Sequence, residues 1–235
     1  MGTMDRLELH SHIPGRGFIA KAALGVSDGL VTNLAFLSGF AGAQSDIGLI
    51  RFAGVAAMLA GGISMFFGGV LAGRSEVELY QADVRREESE IDMEPDEEKQ
   101  ELREFYVKKG LSADEARMVV DKVSVDKKKF LEDLMIHELH IHETSLTNPY
   151  LSGLVIGGAF LAGSFMPLAP YLFLSSREGS SIVSLAFSLL FLFLVGGWKG
   201  RIAGRRLWQG GVETLVVGIL AASLLYLIGV SFGFF

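Results

Sequence analysis

Hydrophobic and polar positions along this chain are segregated rather than alternating. Five apolar stretches, Phe18–Phe40, Phe52–Gly73, Tyr150–Leu174, Ile182–Trp198 and Trp208–Phe235, stand apart from a polar block over residues 74–148. A helix crossing the hydrocarbon core of a bilayer needs about 20 largely apolar residues. The pattern therefore predicts an all-α polytopic membrane protein of five transmembrane helices, with a soluble helical domain inserted between the second and third. The first apolar stretch begins only at Phe18, is full length and carries an acid at its centre, so it reads as a retained span rather than a cleavable signal. The domain reading follows: residues 1–73 hold an N-terminal arm and two spans, 74–148 the acidic insert, and 149–235 the last three spans.

Local signals organise the insert. Pro95 after Glu94 suits the first turn of a helix. Gly110 after Lys108 and Lys109 reads as a helix stop, and Ser112-Ala-Asp-Glu115 has the form of a capping box that starts the next helix. Ser124 is the expected cap of a further helix running to about Glu143, before Asn148-Pro149. The first helix of the insert is expected to continue out of the second span.

Charge sets the orientation. Lys and Arg in the arm and first span (Arg6, Arg16, Lys21), in the insert, and in the connection carrying Lys199, Arg201, Arg205 and Arg206 fall on one side of an alternating five-span chain; only Arg51 and Arg177 fall on the other. The more basic side is cytoplasmic by the positive-inside rule. The N-terminus and insert are thus expected in the cytoplasm, and the C-terminus outside. The formal net charge of −6 argues against nucleic acid as a partner. The chain has no cysteine, which excludes disulfides, thiolate metal sites and cysteine nucleophiles.

Of the 27 acidic residues, 21 lie between Glu76 and Glu143, and ten of the eighteen residues from Glu87 to Glu104 are Asp or Glu. Much of that is a solvated surface. One spacing is more specific: Glu87 and Glu90, then Glu98 and Glu101. On one continuous helix all four share a face; with a break at Pro95 they become two paired-carboxylate arms that can fold together. Carboxylates held together repel unless a cation joins them, and oxygen-rich sites suit Mg, Ca or Mn, and Fe(II) where a softer or nitrogen ligand assists. The segment Leu134-Met135-Ile136-His137-Glu138-Leu139-His140-Ile141-His142-Glu143 offers such ligands, with Glu138 and His142 one helical turn apart. It matches neither His-Glu-x-x-His nor the Glu-x-x-His of di-iron bundles.

Asp28 sits near the middle of the first apolar stretch. A charge there costs about 2.5–3.5 kcal/mol on insertion scales, so it should face a polar pathway or partner. Met65, among the glycines of the second span, would pair a thioether with that carboxylate, a combination suited to a transition metal. Glu213, near the end of the fifth span, is explained by capping or by reaching the interface.

At these residues the sequence resembles the vacuolar iron transporter family. The resemblance rests on Ser27-Asp28-Gly29-Leu30, Ser64-Met65, the Glu87/Glu90/Glu98/Glu101 spacing, Leu102…Tyr106…Lys109-Gly110-Leu111 and Tyr226-Leu-Ile-Gly229. It implies a homodimer in a lipid bilayer that exchanges cytosolic Fe(II), and often Mn(II), for protons, with no permanently bound cofactor. It implies Asp28 and Met65 as pathway ligands between protomers, and Glu87, Glu90, Glu98, Glu101 and Glu138 as carboxylates of a cytoplasmic metal-binding domain. Met135 and His142 are weaker candidates there. Three positions depart from the family pattern: Gly69 stands where an acid is common, Leu134 where a methionine is expected, and Lys21 where an acid often guards the entrance. The additional His137/His140/His142 cluster opens Zn(II), Co(II) or Ni(II) as further substrates. The resemblance places such a protein in a bacterial cytoplasmic membrane or a vacuole-like organelle membrane. The competing reading is a membrane-anchored carboxylate enzyme that oxidises iron, or a metal-sensing domain.

Overall fold

The computed structural model describes residues 16–44, 46–137 and 148–233. Among them the chain forms eight helices and no strand: α1 (Arg16–Gly42), α2 (Ile47–Met93), α3 (Pro95–Lys108), α4 (Ala113–Val123), α5 (Lys127–His137), α6 (Pro149–Phe173), α7 (Arg177–Ile202) and α8 (Leu207–Gly233). Five of these, α1, α2, α6, α7 and α8, are long and apolar enough to cross a membrane. Twenty-five residues at 1.5 Å each give about 38 Å, enough for a hydrocarbon core of about 30 Å. The fourth apolar stretch, the shortest in the sequence, gains length at both ends, because α7 extends over flanking polar residues from Arg177 to Ile202. The second helix does continue beyond its apolar run, to Met93.

The chain divides into two compact units, residues Met1–Val70 with Pro149–Phe235, and residues Leu71–Asn148. In the first, α1 packs against α6, α7 and α8. Leu30 and Leu34 of α1 meet Leu192 of α7 and Ala222 of α8, while Leu37, Ile50, Leu168 and Tyr171 form a second buried cluster. Glycines let these backbones approach: a Cβ on Gly29 would overlap the Phe160 carbonyl oxygen, and one on Gly229 the Gly39 carbonyl oxygen. Such small-residue contacts are how helices associate where lipid removes the hydrophobic drive between them. Arg51 closes the end of α6, donating from Nε to the Tyr171 carbonyl at 2.6 Å and from Nη2 to the Leu174 carbonyl at 3.0 Å.

The second unit is organised around Ile91, Leu102, Val120, Phe130 and Leu134. Its helix boundaries are set by short polar signals. Pro95 occupies the first turn of α3, where its missing N–H costs nothing. Gly110 ends α3 at φ +103°, with Gly110 N–H donating to the Val107 carbonyl and Leu111 N–H to the Tyr106 carbonyl. That is a Schellman closure, which favours glycine for its left-handed residue. Ser112 and Glu115 form the expected capping box of α4.

The expected start of the next helix is corrected. Ser124 is the C-cap that follows α4, its N–H still bonded to the Val120 carbonyl. The helix α5 begins at Lys127, with Asp126 Oδ1 accepting from the N–H groups of Lys128 and Lys129 at 3.1 and 3.4 Å. A carboxylate at a helix start satisfies free N–H groups and also meets the positive end of the helix dipole, which a hydroxyl does not. The expected extension to Glu143 lies outside the described residues.

Candidate functional site

In the membrane unit the candidate pathway residues stand on α1 and α2. Gly25 and Gly29 of α1 press against the backbone of α6, leaving Asp28 half-buried on the adjoining face. The Thr32 hydroxyl, one turn on, is hydrogen-bonded to its carboxylate. Ser27 does not serve Asp28; its Oγ donates to the Ala23 carbonyl at 2.7 Å. Met65 is half-buried on α2, in a stretch where Gly61 lies against the Phe160 ring and Gly62 against Leu161.

The departures at Gly69 and Lys21 acquire physical reasons. A Cβ at Gly69 would stand 2.8 Å from the Gly153 Cα, so α2 and α6 cross there backbone to backbone and leave no space for a carboxylate. Lys21 Nζ donates to Ser152 Oγ at 2.7 Å, tying α1 to the start of α6. Glu213 is exposed and pairs with Arg205 at 2.8 Å.

In the second unit the chain breaks at Glu94, so the two-arm geometry is the one adopted. Ile91 on one arm and Leu102 on the other belong to the same apolar cluster, and this fold-back buries two of the four glutamates. Glu87 is 0% exposed and Glu98 7%, although both are acids. Glu87 Oε1 accepts from Arg86 Nη2 at 3.2 Å, while its Oε2 has no hydrogen-bond partner within the protein. Burial is the main cause that raises the Glu87 pKa; the Arg86 bond opposes it, and the charges of Glu90 and Glu101 push it up further. Glu90 itself lies 3.7 Å from Arg86 Nε. Three of the four spaced glutamates therefore share one electrostatic neighbourhood, and the fourth is buried.

Among the described residues no three His, Asp or Glu side chains converge closely enough to hold an ion by themselves. Glu138 and His142 lie outside the described residues, as does His140. Met135 is buried beside Leu134 in α5. His137 is engaged in a cluster that the sequence spacing does not announce. Its Nε2 lies 3.2 Å from Asp133 Oδ1, its ring stacks on Phe105 with centroids 4.3 Å apart, and Tyr106 Oη donates to Asp133 Oδ2 at 2.7 Å. Burial, and after it the Asp133 carboxylate, push the Tyr106 phenol up to about 12. Tyr106 and Asp133 are 27 positions apart, so no helical period links them. A cavity of about 260 Å³ lies beside this cluster, lined by Glu101, Glu104, Phe105 and His137 among others.

Chemically, this arrangement favours cations. A carboxylate oxygen without a partner in a low-dielectric setting, with two more carboxylates acting on it, is costly as an anion and is relieved by a proton or a metal ion.

Comparison with known proteins points the same way. The VIT family model matches residues 19–230. Vacuolar iron transporter 1 of Oryza sativa subsp. japonica is 34% identical, with 92% of this chain and 88% of that protein aligned. Vacuolar iron transporter 1 of Tulipa gesneriana is 33% identical over 92% of this chain and 87% of that protein. The vacuolar iron transporter of Toxoplasma gondii is 28% identical over 97% and 78% respectively.

Proposed function

The chain belongs to the VIT family, and from that membership we propose that it is an integral membrane transporter that moves Fe(II), and also Mn(II), out of the cytoplasm in exchange for protons. The relatives it resembles are transporters by name, not enzymes. The working unit in this reading is a homodimer, with its N-terminus and its 74–148 insert in the cytoplasm, the side that the excess of Lys and Arg favours. The single observation that carries the reading is Asp28, a half-buried acid in the middle of an apolar helix, with a methionine in the next span to supply a softer ligand.

The cycle has two parts. Glu87, Glu90, Glu98 and Glu101, together with Glu138 and more weakly Met135 and His142, gather divalent ions on the cytoplasmic side and raise their local concentration. Deprotonated Asp28 then takes the ion, and Met65 adds a soft contact. Protonation of Asp28 from the far side removes the charge that holds the ion, and the ion leaves. Carboxylates dominate the ligand set, which places Fe(II) and Mn(II) ahead of Zn(II), Co(II) and Ni(II) as substrates.

The test is Fe(II) uptake into proteoliposomes under an imposed pH gradient, with a trapped pH dye and Asp28→Asn as control. Metal entry with proton exit, both lost in the variant, is the expected result. Undiminished flux in Asp28→Asn overturns the assignment of Asp28. Metal binding without any flux would turn the reading toward a sensor.

A further inference from the structure

Positive charge is gathered at one turn of the membrane unit. Lys199, Arg201, Arg205 and Arg206 fall within eight residues at the α7–α8 connection, and all four are exposed. The packing of the turn keeps them outside. A Cβ on Gly210 would stand 2.3 Å from the Gly196 carbonyl oxygen and 3.0 Å from the Gly200 Cα. No side chain fits between the two helices there, so the charged ones extend away from the crossing. Gly204 then closes α7 at φ +74°, its N–H donating to the Arg201 carbonyl and the Arg205 N–H to the Gly200 carbonyl.

One acid answers this charge. Arg205 meets Glu213 at 2.8 Å, while among the described residues the side chains of Lys199, Arg201 and Arg206 have no hydrogen-bond or ion-pair partner. The first turn of α8 holds no acid, so the positive end of its dipole adds to the same field. The insert treats its own basic run differently: Lys127, Lys128 and Lys129 stand beside the carboxylates of Asp92, Glu132 and Asp126. Lys and Arg orient a membrane chain whether or not they are grouped. Topology alone therefore does not call for four cations on one tight turn with three of them unanswered.

A tryptophan stands on either side of the turn, Trp198 at 48% and Trp208 at 55% exposure, and each heads an apolar stripe. Leu190 and Leu194 lead up to Trp198 in steps of four residues, and Val212 and Val216 follow Trp208 at the same step, all of them exposed. Charge, then an amphipathic ring, then an apolar track is the order of headgroup, interface and acyl chain in a phospholipid. We propose that the α7–α8 turn is a binding surface for phospholipids with anionic headgroups. The phosphate meets Lys199, Arg201 and Arg206, where the guanidinium forks suit its oxygens, and the chains lie along the two stripes. The occupant is a lipid rather than a soluble anion because exposed cations gain little from a single screened charge, whereas a bilayer holds many anions in the plane of the turn. The inference rests on the membrane setting and not on proton exchange. In the proposed orientation the turn faces the cytoplasmic leaflet, where anionic lipids are concentrated.

The experiment uses the purified full chain in neutral detergent with added phosphatidylglycerol, phosphatidylcholine or inorganic phosphate. It reads the melting midpoint and the lipid retained in native mass spectrometry. Phosphatidylglycerol should raise the midpoint and stay bound, while phosphatidylcholine and inorganic phosphate should do neither. Arg201→Gln with Arg206→Gln, which breaks no side-chain contact within the protein, should weaken phosphatidylglycerol binding about 20-fold. Lys199→Gln alone should weaken it about fivefold and decides the matter if the double variant does not assemble. Lys128→Gln with Lys129→Gln in the insert makes the same change in net charge and should leave binding unaltered. Equal effects of the two lipids, or undiminished phosphatidylglycerol binding in Arg201→Gln with Arg206→Gln, overturns the surface. An equal loss in the insert variant makes the effect one of bulk charge and also overturns it. A shift reproduced by inorganic phosphate overturns the lipid as occupant. Because the readout is binding rather than flux, failure of the proton-exchange reading is seen separately in the liposome experiment.

Discussion

The two units of this protein treat acidic residues in opposite ways. The membrane unit holds one half-buried carboxylate, Asp28, apart from its other acids and gives it one hydroxyl partner at Thr32. The 71–148 unit crowds its carboxylates and then buries two of them, Glu87 and Glu98, against a core of Ile91 and Leu102. A lone acid in an apolar span suits one ion at a time, taken and released. Several acids in one neighbourhood suit retention. The contrast also appears in how each unit is packed: glycine against backbone in the first, leucine and phenylalanine against one another in the second.

The comparison can be broken most forcefully at Asp28. Asp28→Asn removes the charge and keeps the shape, and transport should be abolished, since an amide supplies neither the negative charge that holds a divalent ion nor the group whose protonation releases it. Proteoliposome flux measures it, and an unchanged elution volume shows that assembly survives. Gly163→Val tests the packing side: its Cβ would overlap the Val26 carbonyl oxygen, so α1 and α6 cannot close and the yield of folded protein in detergent should collapse.

In the other unit the effects are smaller. Glu98→Ala with Glu101→Ala should leave maximal flux intact and raise the Fe(II) concentration at half-maximal flux several-fold; no change in that concentration reduces the acid run to a solvated face. Glu87 gives the sharpest pH test. Its pKa is raised in the folded state by burial, so its contribution to stability is complete below the unfolded value and is lost as pH rises through the folded one. The metal-free protein should therefore melt higher at mildly acidic than at neutral pH. Glu87→Gln should flatten that dependence and raise the metal-free melting midpoint, while reducing the stabilisation that added Mn(II) confers. The smallest effect belongs to the α4 cap, where Ser112→Ala should cost about 1 kcal/mol, seen as a lowered melting midpoint.

Much of this was legible in the sequence because it depends on local order. The five spans follow from uninterrupted apolar runs, and Pro95, Gly110 and the Ser112–Glu115 box mark helix ends by chemistry that acts within a few residues. Ser124 was misleading because Asp126, two positions on, is the stronger acceptor for a helix start. The rest depends on which helix lies against which. Spacing offered two geometries for Glu87, Glu90, Glu98 and Glu101, and only the fold-back over Leu102 selects the one that buries Glu87. The Tyr106–Asp133–His137 cluster joins residues from separate helices, so no spacing within one helix announces it.

Glu87 carries one more consequence. It is packed in the same unit as Ile91, Leu102 and Val120, so the free energy of keeping its carboxylate out of water is set by those apolar side chains as much as by other oxygens. By linkage, whatever changes the stability of that packing changes how readily a cation is accepted. In the transport reading proposed above, the metal concentration at which flux begins would then drift with substitutions among leucines and valines that never touch an ion, and a lineage could retune its metal set point while every carboxylate stays in place.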